Sequence, residues 1–228
     1  NQSKTSKQSL KIWESKDLDQ NIYIDYNDAI SENGFKFFLK KLYEYGFVVV
    51  QNCRTEMSSV EKIAKKIGYV RESIFGGLWS FQSNQDKADS AYTQEELRPH
   101  TDSTYSNDAP GLQLLLCCHY KATGGESIMV DGFKIAEKIK NEKKDIYDTL
   151  TNIEVTGQYL GDGVSLKAKR PIFRLNSNRE LIQVSFNNYD RAPFRMSEDK
   201  TIKFYESIRE FDLIANNKEY QWRRVLKQ

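Results

Sequence analysis

Near-balanced charge, 34 Lys and Arg against 32 Asp and Glu for a net +2, argues against a general nucleic-acid binder in this 228-residue chain. No apolar stretch approaches membrane-spanning length, the run Leu112 to Cys118 being far too short, and the size suits a single domain around one large core. Cys53, Cys117 and Cys118 are odd in number and lack metal-site spacing, so they read as small buried hydrophobes in a reducing compartment.

Residues 1–9 read as a polar tail and 10–228 as one catalytic domain. Asn1 is no initiator and the chain stops mid-pattern after Arg223-Arg-Val-Leu-Lys-Gln228, so both ends are expected to be cut, the C-terminal one within the domain. Residues 22–26 alternate like an edge strand. Phe35, Phe38, Leu39, Leu42 and Tyr43 recur at helical spacing over 32–45, and Gly46 supplies the stop. A buried strand is expected over 47–50. A second helix, capped by Thr55, should run to Lys66 and close at Gly68. Residues 69–99 have no period but many aromatic and polar side chains, which suits a loop lining a site.

Further along, strands are expected over 112–120 and 127–130, separated by a Gly124-Gly125 turn. Helical segments follow over 133–143 and 144–150. Strands then fall over 153–155, 171–175 and 181–186, the last two joined by the turn Asn176-Ser-Asn178. A long amphipathic helix spans 197–216 with Phe204, Ile208, Phe211 and Leu213. Two helices first and strands with insertions afterwards suggest an α+β, mainly β fold, a jelly roll with flanking helices, over a doubly wound sheet.

The chemistry concentrates at His100-Thr101-Asp102. In an extended segment, residues i and i+2 project from one face, so imidazole and carboxylate can reach the same ion. One neutral nitrogen and one hard oxygen make two corners of the facial site that holds Fe(II) in oxygenases. Taken alone, the spacing fits equally a loop histidine bonded to a turn carboxylate. The chain has one other histidine, His119, which reads as a strand-end residue and not as the third corner.

The wider pattern resembles the trimethyllysine and γ-butyrobetaine dioxygenases of carnitine biosynthesis, within the taurine-dioxygenase-like Fe(II)/2-oxoglutarate oxygenases. Arg71-Glu-Ser-Ile-Phe-Gly76, Trp79, Ala91-Tyr-Thr93 and Arg98-Pro-His-Thr-Asp-Ser-Thr-Tyr105 carry the likeness. It continues through Gly111-Leu-Gln113, Gly124-Gly-Glu-Ser127, Val130-Asp-Gly-Phe133 and Phe186-Asn-Asn-Tyr-Asp-Arg191. So many blocks in order are far more specific than His-x-Asp.

That resemblance implies a double-stranded β-helix in which His100 and Asp102 ligate Fe(II), while Ser127 and the Leu115 backbone touch 2-oxoglutarate. It implies O2 as co-reactant, ascorbate as accessory reductant, and a homodimer. Phe75, Trp79 and Tyr92 sit where the family builds an aromatic cage for a trimethylammonium group, which cannot donate hydrogen bonds and is held by cation–π contact. Core packing is the ordinary role of such rings. Phe75 stands where relatives have Tyr. Asp89 stands where butyrobetaine-type enzymes have an amide; a carboxylate there attracts an α-ammonium and repels a substrate carboxylate. Asn188, Tyr189 and Arg191 are then expected at the amino-acid end, Arg191 gripping a carboxylate in fork geometry.

The implied reaction on this small-molecule substrate is 3-hydroxylation of N6-trimethyllysine. γ-Butyrobetaine hydroxylation and a non-catalytic quaternary-ammonium-binding module are the alternatives. The resemblance places a distal histidine and a 2-oxoglutarate arginine shortly past a segment like Glu219 to Leu226, where this chain ends. Relatives work in mitochondria or cytosol.

Overall fold

Two groups of elements meet at Trp13 and Trp222 in the computed structural model, which describes residues 10–18, 22–81, 96–121, 123–161, 163–193 and 195–227. The proposed tail at 1–9, and with it Asp89 and Tyr92, lies outside the described residues.

In the first group β1 (Tyr23–Asp25) pairs in parallel with β2 (Val49–Gln51), and α1 (Tyr26–Ile30), α2 (Glu32–Tyr45) and α3 (Met57–Ile67) pack around them. Caps set the boundaries. Asp25 accepts the Asn27 N–H at 2.8 Å and the Ser31 hydroxyl accepts that of Gly34 at 3.0 Å. Gly46 ends α2 in the left-handed region, at φ 78°. Ile24, Tyr26, Ala29, Phe38 and Ile63 form the core beneath. Thr55 is not the cap of α3: the helix starts two residues later, behind Glu56, without a side-chain cap bond.

The second group holds β3 (Glu126–Val130), α4 (Gly132–Glu142), α5 (Lys144–Asn152), β4 (Glu154–Gly161), β5 (Val164–Pro171), β6 (Phe173–Leu175), β7 (Leu181–Val184), α6 (Glu198–Ala215) and β8 (Gln221–Val225). The strands pair antiparallel as β3–β8, β4–β5 and β6–β7. Ile135, Ile139, Leu150, Phe173, Phe204 and Phe211 make its core. Asp131 fixes the entry to α4 and ties both groups together. Its carboxylate accepts the N–H groups of Phe133 (2.9 Å), Lys134 (3.2 Å) and Trp13 (2.9 Å). Burial pushes the Asp131 carboxyl up, against those three bonds, which pull it down.

Helices α2 to α6 fall close to where the periodicity puts them, while α1, β5 and β8 were not expected. Three expectations need correction. The run 112–120 carries no strand, because none of the strands pairs with it and a ladder needs a neighbour for its N–H and C=O groups. The strand expected over 153–155 extends to Gly161 and turns into β5, whose last residue is Pro171, so only Phe173–Leu175 remains of the strand expected over 171–175. Cys118 is exposed and Cys53 and Cys117 are half-buried, so the thiols are not core residues. The architecture is mixed helix and sheet, with four two-stranded sheets and no closed barrel among the described residues.

Candidate metal centre and aromatic wall

His100 and Asp102 face each other, as the extended tripeptide requires. His100 Nε2 lies 3.3 Å from Asp102 Oδ1. Two ligands of one ion, each about 2.1 Å from it and at right angles, stand about 3 Å apart, so the pair suits a shared metal. The outer atoms are occupied. His100 Nδ1 donates to the Arg98 carbonyl at 2.7 Å, which leaves the Nε2 lone pair for an ion. Gln113 Nε2 donates to Asp102 Oδ2 at 2.7 Å, so Oδ1 is the oxygen turned to His100.

The two side chains also hold each other electrostatically. Asp102 holds the His100 imidazole above its ordinary value, helped by the Arg98 carbonyl and opposed by burial. Hydrogen bonding from His100, with help from Gln113, holds Asp102 below the usual carboxylate range against the same desolvation. Among the described residues no cluster of three His, Cys, Asp or Glu could complete a metal site. His119 therefore adds no third corner.

The tripeptide is fixed on its far side by the loop 185–192. Thr101 N–H donates to the Phe186 carbonyl at 2.8 Å, and Phe186 N–H donates to the Thr101 hydroxyl at 3.0 Å. The Tyr189 ring meets His100 edge-on at 5.6 Å. Asp190 accepts from the Asn187 amide at 3.0 Å, and its carbonyl accepts Gln158 N–H at 2.8 Å, which pins the loop to β4. Ser103 takes a left-handed φ of 54°, so the chain turns sharply after Asp102. Thr104 then lies so close to Gly157 that a Cβ there would sit 2.5 Å from the Thr104 carbonyl.

From β4 the packing leads to the rings. Tyr105 meets the buried Tyr159 at 5.2 Å, and Tyr159 meets Phe75 edge-on at 5.9 Å. Phe75 and Trp79 stand 5.2 Å apart, and Trp79 and Phe81 5.1 Å. A tight turn presents Phe75: Ser73 and Gly76 exchange backbone bonds at 3.1 and 3.0 Å, with Gly76 at φ 94°. Trp79 is 36% and Phe81 47% exposed, so the outer rings form an open wall, not a closed core.

The remaining candidates are more scattered. Ser127 shares one face of the β3–β8 pair with Arg224, Met129 and Trp222. Leu115 is exposed, two residues on from Gln113. Arg191 stacks its guanidinium 5.0 Å from the Tyr205 ring centroid, and its Nη1 is buried with no hydrogen-bond partner among the described residues. With Asn188, Asn187, Thr104 and Arg170 it lines a cavity of about 20 Å³, room for one or two waters. Sequence reasoning assigned no role to Arg98, Gln113 or Tyr159. Gln113 lay in a motif already singled out, and only the fold shows what Tyr159 touches.

His100 and Asp102 stand in the motif order of the oxygenases, and the chain belongs to the taurine catabolism dioxygenase TauD, TfdA family, whose model matches residues 12–228. It is 33% identical over 228 residues to a trimethyllysine dioxygenase of Meyerozyma guilliermondii, covering 93% of this chain and 57% of that protein. The human mitochondrial trimethyllysine dioxygenase is 32% identical over 180 residues, 74% of this chain and 42% of its own. The human γ-butyrobetaine dioxygenase is 29% identical over 202 residues, 86% and 52% of the two chains. The chain thus spans about half the length of these relatives.

Proposed function

We propose that the protein is an Fe(II)- and 2-oxoglutarate-dependent dioxygenase that hydroxylates N6-trimethyllysine at C3, the first step of carnitine biosynthesis. The observation that carries this reading is the 3.3 Å approach of His100 Nε2 to Asp102 Oδ1, with the outer atom of each side chain already bonded. The family model and the trimethyllysine dioxygenases at 32–33% identity support it. The described strands would then be part of a double-stranded β-helix.

When bound, iron with 2-oxoglutarate and O2 supplies the oxidising power for C–H hydroxylation, one oxygen atom going to substrate and one to succinate with loss of CO2. The chain's own residues bind and orient. His100 and Asp102 would hold the ion, and the Ser127 hydroxyl and the Leu115 main chain would meet the 2-oxoglutarate carboxylates. Phe75, Trp79 and Tyr92 would take the trimethylammonium by cation–π contact, on the order of 0.5–2 kcal/mol per ring. Asp89 would attract the α-ammonium, with Asn188, Tyr189 and Arg191 at the amino-acid end. Holding both charged ends fixes which carbon lies nearest the metal. Since several relatives are named mitochondrial, that compartment is the first to test, the cytosol the second.

Full-length protein supplied with Fe(II), 2-oxoglutarate and O2 should release succinate with trimethyllysine about tenfold faster than with γ-butyrobetaine, and Asp89→Asn should narrow that ratio. Faster turnover of γ-butyrobetaine would reassign the substrate. Tight binding of trimethyllysine with no succinate would leave a binding module and no enzyme.

A further inference from the structure

Helix α6 grips the metal tripeptide from two sides. On one, the Phe211 ring packs tilted against Phe186 with centroids 4.3 Å apart, and the Phe186 carbonyl takes the Thr101 N–H. On the other, Asp212 Oδ2 pairs with Arg98 Nη1 at 2.8 Å. Arg98 is held at two further points. Its N–H donates to the Tyr189 hydroxyl at 3.0 Å, and its carbonyl is the acceptor for His100 Nδ1.

Each contact bears on where Nε2 points. An imidazole turns easily about its outer torsion, and a fixed carbonyl on Nδ1 removes that freedom and sets the tautomer. The carbonyl is only as fixed as residue 98. Pro99 restricts Arg98 to extended backbone, and the ion pair and the Tyr189 bond anchor what freedom is left. Asp212 stands in the last turn of α6 (Glu198–Ala215), where the helix dipole disfavours a carboxylate. Its Oδ1 accepts from Asn216 Nδ2 at 3.1 Å, which turns Oδ2 to Arg98. A carboxylate placed against the dipole and aimed at an exposed arginine does little for the helix itself.

We propose that Arg98 is a positioning residue for the metal centre: its pair with Asp212 uses α6 as a splint that aims His100 Nε2 at the ion. This inference rests on the reading of His100 as a ligand. An exposed ion pair is worth little to stability, so its effect belongs in metal affinity and not in folding.

Calorimetric titration of the full-length protein with Co(II), beside thermal unfolding, tests it. Arg98→Met and Asp212→Asn should each weaken metal binding about tenfold, in line with other outer-shell partners of metal ligands. The double variant should be no weaker than the worse single one, because both break the same link. Arg98→Lys should recover most of the loss, and the unfolding midpoint should stay within about 2 °C. Wild-type affinity in both single variants, or two losses that add, overturns the splint. Equal Co(II) affinity in wild type and His100→Ala overturns the ligand assignment instead, and with it the function proposed above.

Discussion

The tripeptide at 100–102 is pinned by hydrogen bonds to its side chains, whereas the rings at 75–81 meet chiefly ring on ring, above a turn tied by Ser73 and Gly76. Nδ1 of His100, Oδ2 of Asp102 and both polar groups of Thr101 each have a named partner. Phe75, Trp79 and Phe81 touch one another at 5.1–5.2 Å and keep a third or more of two rings in solvent. The ligands proposed for the two regions differ in the same way. A metal ion rewards donors placed to a few tenths of an ångström, while a trimethylammonium rewards ring area within about 6 Å and tolerates slack. The polar half is therefore built for position and the aromatic half for surface.

The largest effect should come from removing a first-hand ligand. Asp102→Ala leaves His100 alone, and Co(II) affinity should fall about a hundredfold or more, beyond the loss typical of an outer-shell partner. Binding of tetramethylammonium to the same protein should not change. Coupled losses at both sites would erase the contrast between the two halves.

Gly157 is where the halves share a foundation, since β4 carries both the contact with Thr104 and the ring of Tyr159. In Gly157→Ala the new Cβ meets backbone on the metal side, 2.5 Å from the Thr104 carbonyl carbon and oxygen and 2.7 Å from Tyr105 N. Backbone cannot swing away as a side chain can, so the variant should lose about 2 kcal/mol by denaturant unfolding. It should also weaken both Co(II) and tetramethylammonium binding. Loss of Co(II) binding alone would mean that Tyr159 does not carry the wall.

How much of this could be read from the chain follows from the range of each signal. Helix α2 was legible to the residue because the apolar stripe and Gly46 are local. The alternation of Val164, Leu166 and Ala168 with Ser165, Lys167 and Lys169 marks β5 just as plainly, yet no element was expected between 155 and 171. The run 112–120 misled in the other direction. Its composition is that of a strand, but a strand is made by its neighbour, and composition says nothing of neighbours. At the site, the approach of His100 to Asp102 was legible because residues two apart can share a face. Arg98, 114 residues from Asp212, was not: that contact exists only once α6 has folded against the tripeptide.

Trp79→Ala is the finest probe of the comparison. The indole has the strongest ring face for a cation, and here Phe75 and Phe81 flank it on both sides. Removing it should weaken tetramethylammonium binding about tenfold, at the upper end of one cation–π contact with part of its area burial. Trp79→Phe keeps a ring and should lose only about threefold. Co(II) affinity should be untouched in both, since the path from Trp79 to His100 runs through three aromatic contacts and the β4 backbone and includes no atom bonded to either ligand. A wall variant that loosens the metal would mean that the rings, too, are there for position. A variant with unchanged ammonium binding would return Trp79 to plain surface packing and move cation recognition elsewhere.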